Sequence, residues 1–184
     1  MSRQDSKGLT PFSYVVLALV GEGGAGPHDL VQMMRRGVLY WTAAESHYYG
    51  EPKRLARLGY LTARKEPGQT RERTHYMLTP LGRTALREWL AKPAGLPRIQ
   101  NEAIVKLLAA DVANDEEIVL RSLEGLRAEI AQASAQLDVN EELASTLPHR
   151  ERHLRLIHAL GRAQLQTYVN WLDQVDRGLG APNP

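Results

Sequence analysis

The sequence predicts a mainly α-helical protein with one small β-hairpin, and three observations carry the prediction. Apolar residues recur at steps of three and four through much of the 184-residue chain, the period of an amphipathic helix. Helix-start patterns stand at Thr10-Pro11, Thr42 to Glu45, Thr79-Pro80 and Asn114 to Glu117, where a side-chain oxygen can accept from the backbone N–H groups that a first turn leaves unpaired. Between residues 60 and 78 two short runs rich in β-branched and aromatic residues flank the turn-forming Pro67-Gly68.

Residues 1–8 are polar and outside any predicted element. Thr10 caps, and Pro11 opens, a first helix that aligns Phe12, Val15, Val16 and Leu19 on one face and stops at the glycine-rich Gly21–Gly26. Pro27 opens a second helix through Asp29, Leu30, Met33 and Met34, and Gly37–Trp41 leads to a third. That third helix is predicted from Thr42, which has the capping-box spacing to Glu45, to Gly59, which accepts the left-handed conformation of a helix end. It carries Ser46, His47, Tyr48, Tyr49, Lys53, Arg54 and Arg57. Tyr60–Lys65 and Thr74–Leu78 then make the hairpin, and Thr79-Pro80 opens a helix to about Leu90. Two helices, a basic helix and a hairpin in this succession form an N-terminal winged helix-turn-helix, residues 1–91.

Lys92–Pro97 cannot continue a helix, and residues 92–98 are predicted as a linker. Residues 99–184 are predicted as a C-terminal α-helical dimerisation region with antiparallel long helices. Ile104, Val105, Leu107 and Leu108 mark a short apolar helix. From the start at Asn114 the residues Val119, Leu123, Leu126, Ile130, Ala133, Leu137, Asn140 and Ala144 alternate steps of four and three, a heptad seam. Pro148 ends it, and a last helix from about His149 to Val175 presents Leu154, Ile157, Gly161, Leu165, Tyr168, Leu172 and Val175. Such a pair is too thin to bury both seams alone, so a second copy of the chain is the expected cover.

Charge divides the same way. Residues 1–98 hold 15 Lys+Arg against 8 Asp+Glu, and the remainder 8 against 13, inside a total of only +2. The imbalance points to an anionic partner for the first half. The chain has no cysteine, which excludes disulfides, thiolate nucleophiles and thiolate metal sites. The apolar run Tyr14–Val20 is far shorter than the ~20 residues of a membrane span, and no signal-peptide pattern precedes it, so a soluble, cytoplasmic protein is expected.

The third helix matches the B-form major groove in size: about 10–12 Å across with side chains, against a groove roughly 12 Å wide. Double-stranded DNA is therefore the expected partner. Ser46, His47, Tyr49, Lys53 and Arg54 are the candidate contacts of the helix, and Arg64, Lys65, Arg71 and Arg73 those of the wing, where cations neutralise phosphates without reading sequence. Trp41, Trp89 and Trp171 are candidates to line a pocket for a planar effector. His149 and His153 have metal-ligand spacing but read as a solvated helix start, so no metal and no cofactor is expected. Gly21–Gly26 lacks the preceding strand and the Lys-Ser/Thr ending of a phosphate loop, and no nucleophile-base pair is visible, which argues against an enzyme. The rival reading is a winged domain used for protein contacts alone.

Ser46-His47-Tyr48-Tyr49-Gly50-Glu51-Pro52-Lys53-Arg54-Leu55 resembles the recognition-helix signature of the PadR family of bacterial transcriptional regulators, a serine and a tyrosine three apart followed by Glu-x-Lys-Arg-Leu. Leu58-Gly59-Tyr60-Leu61 resembles that family's helix-to-wing junction, and Arg73–Arg83 its second wing strand and following helix. With the final two helices the resemblance extends over nearly the whole chain. It implies a homodimeric DNA-binding protein, usually a repressor, that responds to small aromatic or amphipathic compounds. By position it puts Ser46, Tyr49, Lys53 and Arg54 on the DNA-facing helix and Arg71 and Arg73 on the wing. Pro52 departs from the pattern, where an apolar helix former is usual. Proline cannot donate to the carbonyl of Tyr48, and a kink at Tyr48–Pro52 is expected.

Overall fold

A computed structural model describes residues 8–37, 39–67, 72–113 and 115–179, and the chain divides into two compact units, Met1–Leu96 and Pro97–Pro184. The first unit is a winged helix-turn-helix: α1 (Pro11–Val20), α2 (Pro27–Arg36), α3 (Glu45–Arg57), β1 (Leu61–Glu66), β2 (Arg73–Leu78) and α4 (Pro80–Leu90).

Three of its helices start where local chemistry dictates. Thr10 Oγ1 accepts from the N–H of Ser13 while Ser13 Oγ accepts from the N–H of Thr10, and Pro11 follows at the first helical position. In α2 the carboxylate of Asp29 reaches back to the N–H of Gly26 at 2.9 Å. Thr79 accepts from the N–H of Gly82 ahead of α4. The start of α3 differs from the sequence expectation. Thr42 does not cap it; extended Ala44 is the N-cap, without a side-chain bond, and the helix begins at Glu45. The carboxylate that would have completed the box is committed elsewhere, accepting from Arg35 Nε at 2.8 Å. Pro52, the position of the expected kink, lies inside α3, which continues through it to Arg57, and its ring is buried. Gly59, at φ +81°, turns the chain out of α3 into the wing as expected.

One core ties the unit together. Val16, Leu17 and Val20 from α1, Leu30 and Val31 from α2, Tyr48 and Leu55 from α3, and Tyr60, Leu61, Tyr76 and Leu78 around the wing pack in one cluster. Leu17, Leu30 and Leu55 are fully buried, each contributing about 1.5–3 kcal/mol. The hairpin is antiparallel, pairing Leu61 with Leu78 and Glu66 with Arg73. The turn residue Gly68 lies outside the described residues. The glycine-rich stretch before α2 is itself paired: Ala25 and Tyr76 exchange two backbone hydrogen bonds of 3.0 Å, which fixes the base of the wing. Above it Glu22 binds Arg83 of α4 at 2.7 Å.

The second unit is all helical: α5 (Glu102–Leu108), α6 (Ala110–Ala113), α7 (Glu116–Ser145) and α8 (Glu151–Leu179). Asp115 caps α7 by accepting from the N–H of Glu117 at 3.0 Å; Asn114, the cap expected from the sequence, lies outside the described residues. α7 and α8 are antiparallel, with Arg127 paired to Asp173 and Asp176, and Arg162 to Asp138 and Glu141. Leu123, Ile130 and Leu137 face Leu165, Leu172 and Val175 in one core. The seam of α8 departs from the expected one at a single place. His158 is buried and Ile157 is exposed, because steps of four and three carry the stripe from Leu154 through His158 to Gly161.

α7 and α8 bury much of each other's seam, with Leu137 and Leu172 each 1% exposed, and Ala103 and Leu107 of α5 pack against the same core. Exposed apolar side chains of this unit include Ile104, Val105 and Leu108 of α5, Val112 of α6, and Leu156 and Leu160 of α8. Among the described residues no helix is long and apolar enough to cross a membrane.

Candidate nucleic-acid interface

The position of α3 follows from its own periodicity. Tyr48, Pro52 and Leu55 form one buried stripe, and the opposite stripe, at steps of four, three and four, is Ser46, Gly50, Lys53 and Arg57, all exposed. Tyr49 borders this stripe and is 43% exposed. The anchor is polar as well as apolar. Arg54 donates from Nε and Nη2 to the two carboxylate oxygens of Glu51 at 2.8 and 2.6 Å, from Nη2 to Ser13 Oγ at 2.9 Å, and from Nη1 to the carbonyl of Gly8 at 2.8 Å. Ser13, itself buried, donates to Glu51 Oε1 at 2.7 Å. Burial alone would raise the Glu51 pKa, but the hydrogen bonds from Arg54 and Ser13 outweigh it and hold the carboxyl below its ordinary range. The same bond to Glu51 raises the Arg54 pKa. Burial pushes the Tyr48 phenol up.

The predicted contacts of this helix therefore separate. Ser46, Tyr49 and Lys53 share the exposed side. His47 is exposed but leans its ring edge-on against Phe12, centroids 5.8 Å apart. Arg54 is turned from the row, its donors occupied by Glu51, Ser13 and Gly8. In its place the row gains Arg57, whose guanidinium makes no ion pair among the described residues, and the flat backbone of Gly50, where an added Cβ would meet nothing within 4 Å. Both were open to sequence reasoning, since the four-three-four spacing from Ser46 passes through them.

On the wing, opposed residues of an antiparallel pair share a face. The register sets Arg64 beside His75 and Glu66 beside Arg73, so Arg64 and Arg73 lie on one face and Lys65, opposite Thr74, on the other. Arg64, Lys65 and Arg73 are exposed. His75 also approaches Glu66, Nδ1 to Oε2 3.8 Å. Arg71 lies outside the described residues.

The three tryptophans have three separate settings. Trp41, with Phe12 and His47, lines a cleft of about 660 Å³ that runs beside α3 past Ser46, Gly50 and Arg57. Trp89 is outside that cleft and stacks on Tyr14 with centroids 5.1 Å apart and planes 10° from parallel. Trp171 packs against the core of the second unit. Among the described residues no group of three or more His, Asp or Glu side chains gathers in a way that could hold a metal ion.

No family model matches the chain. The negative transcriptional regulator PadR of Bacillus subtilis is 26% identical over 178 residues, 88% of this chain and 93% of that one. The crystal structure of the same Bacillus subtilis protein in complex with operator DNA superposes with a TM-score of 0.75 at 20% identity, covering 93% of this chain and 98% of that one. Its complex with p-coumaric acid gives 0.68 at 19%, covering 92% and 99%. The virulence activator AphA of Vibrio cholerae gives 0.72 at 24% identity, covering 93% and 99%. In sequence and in fold, the chain is PadR-like.

Proposed function

We propose that the protein is a sequence-specific DNA-binding transcriptional regulator, a repressor, that acts as a homodimer in the cytoplasm, responds to a small aromatic or amphipathic effector and catalyses no reaction. The observation that carries this reading is the exposed row Ser46, Gly50, Lys53 and Arg57 on a helix whose other side is locked into the core by Tyr48, Pro52 and Leu55. A rigidly held helix with a polar, cationic, uncovered side is what major-groove readout requires. Ser46, His47, Tyr49, Lys53 and Arg57 are assigned to the groove, and Arg64, Lys65, Arg71 and Arg73 to phosphates. Arg54 is reassigned from contact to positioning, on the strength of its bonds to Glu51 and Ser13.

The Bacillus subtilis relative supports this reading: it is a negative regulator and has been crystallised with operator DNA and with p-coumaric acid. The dimer is supported by Ile104, Val105, Leu108 and Val112, apolar side chains close together in the α5–α6 segment that are left exposed, because grouped exposed apolar side chains mark a contact. Gel-shift titration of the full chain against its own upstream DNA, with unrelated duplex as competitor, tests the function. Retention of the upstream complex under excess competitor supports it; no complex, or complete displacement, overturns it. Light scattering at twice the 20.6 kDa chain mass is expected for the free protein, and a monomer removes the dimer.

A further inference from the structure

Gly50 is the one position in the exposed row of α3 that offers a duplex no side chain. The space beside it is open: an added Cβ would meet nothing within 4 Å, and the residue lines the cleft of about 660 Å³ that runs along the helix. On a helix, the side chains able to lean over such a gap stand three and four residues away, here Ser46 and His47 before it and Lys53 and Arg54 after it. Two of the four are held off. Arg54 is bonded to Glu51, Ser13 and Gly8, and the His47 ring leans on Phe12. Of the other two, Ser46 is short and Lys53 ends in an ammonium that is exposed to solvent. The gap therefore stays open, in the very surface assigned to the major groove.

The chemistry of the groove floor selects what fits. Guanine, adenine and cytosine present hydrogen-bonding edges there, whereas thymine presents one acceptor and a C5-methyl group. A hydrogen-bonding edge brought against Gly50 finds no partner, because the residue has no side chain and its backbone groups, inside α3, belong to the helical ladder. Leaving such an edge desolvated and unpaired is costly. A methyl group needs only room and contact. We infer that the gap at Gly50 receives the C5-methyl group of a thymine, so that this glycine specifies a base through the side chain it lacks. Its neighbours in the row, Ser46 and Lys53, carry donors suited to the polar edges of adjacent base pairs. The gap holds one methyl group, either that of the thymine or the Cβ of an alanine put in place of Gly50.

This inference deepens the DNA-binding function proposed above and rests on it, and the test separates the two. It is a cycle of two proteins, the full-length wild type and Gly50→Ala, and two duplexes. One duplex is the chain's own upstream DNA; the other is the same sequence made with deoxyuridine in place of thymidine, which removes only the methyl groups. In anisotropy titrations the wild type should bind the deoxyuridine duplex about fourfold more weakly for each half-site, the value of one buried methyl group. Gly50→Ala should bind the thymine duplex more weakly than the wild type does, yet bind the deoxyuridine duplex at least as tightly as the thymine one, because its Cβ fills the place the methyl has left. Any change that deoxyuridine makes in the shape of the duplex acts on both proteins alike and cancels in the comparison. Replacing thymines singly should then localise the wild-type loss to one base pair in each half-site. The inference is overturned if the wild type binds the two duplexes alike, or if Gly50→Ala loses as much affinity on deoxyuridine as the wild type does. The wild-type comparison decides the matter even if Gly50→Ala fails to fold. A chain that binds its upstream DNA without regard to the methyl groups loses this contact and keeps its function; one that binds no upstream DNA loses the function and the contact together.

Discussion

Glu51 and Arg54, one helical turn apart on α3, are joined by two hydrogen bonds of 2.8 and 2.6 Å, and the pair is bound to α1 through Ser13. α3 is thus oriented by an ion pair that is bonded to the unit's own first helix. Glu51→Gln removes the charge that holds Arg54, and a loss of about 1–3 kcal/mol in urea unfolding is expected. Arg54→Ala should lower operator affinity together with stability, whereas a direct DNA contact at Arg54 would lower affinity alone.

The same pair predicts a pH dependence. Burial acts to raise the Glu51 pKa, but the bonds from Arg54 and Ser13 prevail and leave it below the ordinary value of 4.5. A carboxyl with a lowered folded-state pKa contributes stability that is complete above its unfolded pKa and lost as pH falls through the folded one. The stability difference between wild type and Glu51→Gln should therefore be full at neutral pH and shrink below about pH 4.5. A difference that grew in acid would contradict the assignment.

Gly50 predicts a trade of stability against binding. Glycine within a helix costs about 1 kcal/mol relative to alanine, and an added Cβ there meets nothing within 4 Å. Packing gives no reason for the glycine; close approach of a duplex does. Gly50→Ala should raise the unfolding free energy by about 0.5–1 kcal/mol and weaken operator binding in anisotropy titrations. Unchanged or stronger binding would remove Gly50 from the interface.

Gly82 predicts the reverse, a loss of stability. A Cβ at Gly82 would lie 2.2 Å from the carbonyl oxygen of Tyr60, a backbone atom at the junction of α3 and the wing. Gly82→Ala should cost about 1–3 kcal/mol or more as α4 is pushed from that junction. Thermal melting measures it.

Helix and wing should also separate by specificity. Arg73→Ala should reduce affinity for all duplexes about evenly and flatten the salt dependence by about one unit of slope for each phosphate no longer neutralised. Lys53→Ala should change which duplexes are preferred, by about 1–3 kcal/mol at the affected base pair. Selection from a randomised duplex pool distinguishes the two outcomes.

Where the determinants are local, the sequence was readable. Thr10-Pro11 and Thr79-Pro80 start α1 and α4 because a cap needs only a hydroxyl three residues from an N–H. Gly59 ends α3 because its φ of +81° suits glycine. Where the determinant is distant in sequence, residue type misled. Thr42 and Glu45 have capping spacing, yet Glu45 is engaged by Arg35, ten residues away. Arg54 belongs to a basic cluster, yet its partners include Ser13 and Gly8, which precede it in the chain by the whole of α2 and more. The pairing of Ala25 with Tyr76 spans fifty-one residues and leaves no local mark. Ile157 gave way to His158 because the heptad phase, not hydrophobicity, decides which side chain meets α7.

The most direct test of the central claim is the binding of the full chain to its own upstream duplex as salt is raised from about 50 to about 200 mM, followed by anisotropy with stoichiometry. Two chains per site, a steep linear fall of log K with log salt, and a shallower slope for Arg57→Ala are the predicted results. Binding that ignores salt, one chain per site, or an Arg57→Ala slope equal to wild type would contradict a dimer that reads DNA through the exposed side of α3.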